Sequence, residues 1–175
     1  MQYKLNKATL PTTRLIDLYY RNEECRAACS HCRNYGRQWS CPPFAVDPLA
    51  QLSRFSLATI LAVEIPVAPG TPSDRAIDVM ASAHPILVEA AMELERQTGG
   101  RASCTVGECR LCTEPCARQN GMPCRHPNRM RPSPEAIGFD LVTLLHDLFH
   151  IDLQWGADGF LPSRLYLIGA VFHNQ

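Results

Sequence analysis

No stretch of this chain approaches the roughly 18 consecutive apolar residues that a membrane-spanning helix needs. Its first ten residues, MQYKLNKATL, lack the continuous apolar segment of an export signal, so a cytoplasmic protein without membrane contact is expected. P-loop, G-x-G-x-x-G and G-x-S-x-G motifs are missing, as are paired carboxylates at useful spacing. Nucleotide binding and hydrolysis therefore have no motif behind them. Aromatic residues make up only 7% of the sequence, and the Arg-rich stretches are not interleaved with them. A single-stranded nucleic-acid platform needs that interleaving, so nucleic acid is not an expected partner. Internal repeats, low-complexity segments and long linkers are also absent. With 175 residues and 46% hydrophobic content, residues 1–175 read as one folded domain.

Cysteine, by contrast, is abundant. There are nine, an odd number in a chain without an export signal, which argues against a secreted disulfide scaffold. They cluster in two segments, 25–41 and 104–124. The second is the more compact: ECRLCTEPCARQNGMPCRHP places Cys109, Cys112, Cys116 and Cys124 within sixteen residues. Such spacing lets backbone N–H groups point at the sulfurs, and Pro115 and Pro123 stiffen the loop. Zinc sites more often show two separated C-x2-C pairs, so a [4Fe–4S] cluster is the expected occupant and zinc the alternative. The first segment supplies Cys29, Cys32 and Cys41, with Cys25 or Cys104 as a possible fourth ligand. Cys104 sits among small residues at a strand end and reads better as a buried free thiol. Tyr35 and Trp39 are placed to shield the first site from water.

Cys25-x3-Cys29-x2-Cys32 has the spacing with which radical-SAM enzymes hold a cluster that leaves one iron open. Cys41 stands close enough to close that coordination. The Gly-Gly-acid element of such enzymes is missing, because Gly99-Gly100 is followed by Arg101. Net charge is zero but uneven. Residues 20–41 carry four Arg and two Glu, and residues 101–131 six Arg and two Glu, so these stretches total +6 and the remainder −6. A four-thiolate cluster is anionic, and nearby cations favour its reduction. Arg125, Arg129 and Arg131 are candidates for tuning a centre or docking a partner, and His126 for donating to a cluster sulfur. His146 and His150 fall at i, i+4, but opposite the apolar stripe of their helix and without the Glu of H-E-x-x-H, so they read as a solvated face.

The remaining elements read as follows. Thr12–Tyr20 is a short helix or strand. Phe55–Val67 is a buried strand, closed by Pro66 and Pro69-Gly70. Ser73 caps a helix over 74–83 that Pro85 breaks or kinks, and a second apolar face runs on to Gly99-Gly100. Residues 101–106 form a short strand. A helix starts at Ser133-Pro134-Glu135 and buries Ile137, Leu141, Leu144, Leu145 and Leu148. Residues 165–172 form the last strand. The order predicts an α/β fold, a small two-layer sandwich with helices on one mixed sheet and cysteine-rich loops.

CRNYGRQWSCPPF, GECRLC and PCRHPNRMRPSPEAIGFDL, which span about Cys29 to Leu141, resemble a cysteine-rich family of predicted metal-binding proteins whose domain has no assigned function. The resemblance implies metal or iron–sulfur binding at Cys29, Cys32, Cys41, Cys109, Cys112, Cys116 and Cys124, and supplies no reaction. The function expected is an iron–sulfur protein with one or two [4Fe–4S] clusters that exchanges single electrons with a protein redox partner. The alternatives are a structural zinc protein that binds another molecule, and a cluster enzyme whose substrate meets an open iron.

Overall fold

The computed structural model describes residues 3–175. Four strands form one sheet in the order β1-β2-β4-β3: β1 (Lys4–Pro11), β2 (Leu57–Pro66), β3 (Arg101–Ser103) and β4 (Arg164–His173). Every pairing is antiparallel, where a mixed sheet was expected. The helices are α1 (Thr12–Tyr19), α2 (Asn22–Ser30), α3 (Pro48–Leu52), α4 (Ala76–Thr98), α5 (Pro134–Ile137) and α6 (Leu141–Phe149). The α/β class is the one expected, with helices packed on a single sheet. They cover both of its faces, which adds a layer to the sandwich.

Burial on both faces explains the sequence of β2. Ala58, Ile60 and Ala62 point into one cluster, with Leu15 and Tyr19 of α1, Leu144 and Leu145 of α6, and Phe139. Leu61, Val63 and Ile65 point into the other, with Ala83, Leu87 and Ala91 of α4. A strand with two buried faces reads as a continuous apolar run instead of an alternating one. α4 lies close on its face because β4 has Gly169 there. A Cβ at that position would come within 3.1 Å of the Leu87 side chain.

Two elements depart from expectation for identifiable reasons. Pro85 does not break α4, which runs through it to a left-handed Gly99. Pro85 lies on the exposed side while Leu87 and Ala91 are held against the sheet, so packing outweighs the lost hydrogen bond. Ser73 makes no side-chain cap; residues Ser73–Arg75 form a 3-10 turn into α4. The long helix expected after Ser133 is divided. Gly138 adopts φ +124°, and the carboxylate of Asp140 accepts from Val142 N and Thr143 N to start α6 afresh. Three elements were not anticipated, the edge strand β1 and the helices α2 and α3. Among the described residues, no helix is long and apolar enough to cross a membrane.

Candidate metal centres

α2 begins with Glu23 and Glu24 in its first turn, where the helix dipole favours acids, and buries none of its residues. Cys25 and Cys29 stand four residues apart on it and so share a face. Cys32 follows the helix end, held by its N–H on the Cys29 carbonyl at 2.9 Å. A series of turns brings the chain back: Tyr35 N–H donates to Cys32 O, and Cys41 N–H to Gln38 O. Cys25, Cys29, Cys32 and Cys41 thereby line one cavity of about 850 Å³. Helical placement of Cys25 and Cys29 is the exception to the expected loop setting of the cysteines.

The second group is held by short turns and the 3-10 helix Ala117–Asn120. Cys109, Cys112, Cys116 and Cys124 all line a separate cavity of about 420 Å³. Cys104 lines neither cavity. It is 2% exposed within the α4-side core, and burial pushes its thiol up to about 12. Among the described residues, no three His, Cys, Asp or Glu side chains are arranged to hold a single metal ion. The thiols of each quartet share a cavity.

The two loops form one body. Gln38 is the hinge pin: its Oε1 accepts from Cys109 N–H at 2.8 Å, and its Nε2 donates to Asn34 Oδ1. Asn34 Nδ2 donates to Gly107 O at 2.9 Å. Arg118, from the second loop, donates to the carbonyls of Gln38, Cys41 and Pro43 at 2.6–2.8 Å and stacks over Trp39 at 5.1 Å. Trp39 Nε1 donates in turn to Met122 O. None of Asn34, Gln38 and Arg118 was singled out from the sequence, although Gln38 directly precedes Trp39-Ser40-Cys41. Tyr35 lines the first cavity, whereas Trp39 lines the second.

Three backbone amides approach sulfur two residues back along the chain. Asn34 N–H lies 3.5 Å from Cys32 Sγ, and His126 N–H lies 3.4 Å from Cys124 Sγ. The Leu111 amide likewise lowers the Cys109 thiol. Burial works the other way. It pushes Cys25 up to about 11, with Cys29 adding to the shift, and pushes Cys41 up to about 11 against the Ser40 hydroxyl. Cys29 and Cys109 are raised first by burial and then by neighbouring acid or thiol groups. Crowded, half-buried thiols stay protonated until a cation compensates them, so metal loading here releases protons.

The other candidates lie as follows. Arg125 donates to Pro115 O and pairs with exposed Glu114. Arg129 is exposed, and His126 is half-buried. Arg131 is 5% exposed and paired with Glu95, so it has no surface to offer a partner. His146 pairs with Asp152, and His150 adopts a left-handed conformation that ends α6, so the two do not share a helical face. One residue of the first cavity was missed as a site residue. Glu135, in α5, lines it with Oε2 buried and without a hydrogen-bond partner. Burial raises this carboxyl, against its own backbone N–H and the Ser133 hydroxyl.

The family model described as "Predicted metal-binding protein (DUF2284)" matches residues 17–172, which include all nine cysteines and both cavities. The chain belongs to the DUF2284 family. A metal is implied for DUF2284 proteins, and the eight cavity-lining cysteines provide a donor set suited to a thiophilic one. No curated protein and no solved structure matches the chain.

Proposed function

We propose that this DUF2284 protein binds two iron–sulfur centres, one per cysteine quartet, and exchanges single electrons with a protein partner. One observation carries this reading: eight of nine cysteines sort into two sets of four, each lining its own cavity. The donor set fits a [4Fe–4S] group, whose four irons each take one thiolate. A single zinc draws its four sulfurs to within roughly 4 Å of one another, given Zn–S bonds near 2.3 Å. A cubane holds its thiolates further apart and fills more space than a single ion, which suits cavities of about 420 and 850 Å³.

When bound, such a centre supplies reversible one-electron chemistry. The chain's own contribution is placement and electrostatics. Cys25 and Cys29 are offered by one helical face, and Cys32 and Cys41 by the turns that Gln38 and Arg118 fix. Amides of Asn34, Leu111 and His126 withdraw charge from Cys32, Cys109 and Cys124, which favours the reduced state. Exposed Arg129 remains as a docking residue for an acidic partner.

Protein made and kept without oxygen tests the proposal. The expected result is broad absorption near roughly 400 nm and an electron spin resonance signal after reduction. Colourless protein that contains zinc alone would sink it.

A further inference from the structure

We propose that the first cavity also binds a small organic cation, an ammonium on an apolar body, with the charged end seated at Glu135. The placement rests on the proposed function only for the cysteine wall. The volumes suggest room for a second occupant: at about 850 Å³ the first cavity is twice the size of the second, about 420 Å³, although both present four thiols. A centre of equal size on the cysteine side leaves about half the space, within the range of small-ligand pockets.

The remaining wall has a ligand site's composition. Val106, Phe139, Leu141, Leu153 and Ile168 give it an apolar body, and Trp155, 77% exposed, stands at its rim. Few polar groups face the space, and their charge is one-sided. Glu24, Glu135 and Asp140 line it against a single cation, Arg21. Arg21 is already committed, donating to the carbonyls of Tyr20 and Leu18 at 2.9 and 3.0 Å. Asp140 is occupied as the cap of α6. Among the described residues, Glu135 Oε2 is therefore the one buried side-chain oxygen lining this cavity without a hydrogen-bond partner. A buried acceptor without a donor is costly, and a ligand N–H that meets it recovers that cost. An ammonium does so and also offsets the charge of Glu24 and Asp140, whereas a carboxylate ligand meets repulsion from both.

Calorimetric titration with benzylammonium, benzyl alcohol and benzoate, three probes of one shape and different charge, tests this. Benzylammonium is expected to bind about tenfold more tightly than the alcohol, and benzoate more weakly than both. Glu135→Gln should reduce benzylammonium to the level of the alcohol and leave the alcohol within about twofold. Val142→Trp, at the exposed lining position on α6, should weaken all three probes. Benzoate binding as well as benzylammonium, an equal fall of all probes in E135Q, or no binding by any probe would each overturn the proposal. Iron and sulfide assayed on the same samples of the unaltered protein, kept without oxygen, separate the two ideas. Iron-free protein that still selects benzylammonium leaves the chamber standing and removes the redox reading.

Discussion

Glu95 holds together three segments that approach the second cysteine loop. Its carboxylate, near the end of α4, accepts from Arg131 Nε at 2.7 Å and from Ala102 N–H of β3 at 2.6 Å. Arg131 also donates to Asn128 O and Met130 O, which fixes the connector from Cys124 to α5. Burial opposes the ionisation of Glu95, but Arg131 and the Ala102 amide outweigh it and hold its pKa below the usual carboxylate range. A depressed folded pKa gives stability that is present above the ordinary value of 4.5 and lost as pH falls through the folded value. Glu95→Gln should therefore flatten acid destabilisation in that window. At neutral pH it should cost about 3 kcal/mol in chemical unfolding, because Arg131 stays buried without its counter-charge. One of the ten arginines in the cysteine-bearing stretches, Arg131, thus belongs to the interior. Arg118 is a staple between loops. The sequence shows the +6 excess and not this division of labour, which depends on contacts some 36 to 80 residues apart.

At the scale of elements, the junction at Gly138 decides how α5 and α6 present Glu135 and Val142 to the first cavity. Its φ of +124° is open to glycine alone without strain, and an added Cβ would lie 2.8 Å from the Tyr20 ring. Gly138→Ala should destabilise the fold by about 2 kcal/mol, measured by denaturant unfolding. The apolar stripe from Ile137 to Leu148 concealed this break because both segments face the same core. Strands β2 and β4 and the end of α4 were legible, since long apolar runs and a Gly-Gly stop carry strong local signals. β1 was not: KLNKATLP is an edge strand whose lysines discourage further pairing, and its apolar content is low. α2 was hidden for a related reason. It buries nothing, so it lacks an apolar stripe, and its role is visible only once Cys25 and Cys29 face a cavity. The choice between Cys25 and Cys104, open in the sequence, became a matter of burial: one lines the first cavity and the other lies in the core.

For the whole molecule, the sheet serves as a platform from which two cysteine quartets project side by side. Gln38, Asn34 and Arg118 join them along a shared rim. Each quartet nevertheless lines its own cavity, and the donors of one do not line the other. The proposed function places a separate inorganic centre in each cavity. Iron and acid-labile sulfide per chain, in protein kept without oxygen, test it most directly when each quartet is disabled in turn. The unaltered chain should carry about eight of each, for two four-iron cubanes. Replacing Cys109 and Cys112 by Ser, or Cys29 and Cys32 by Ser, should leave about half. Iron that is absent from the unaltered chain, or that vanishes entirely with either pair, would contradict two independent centres.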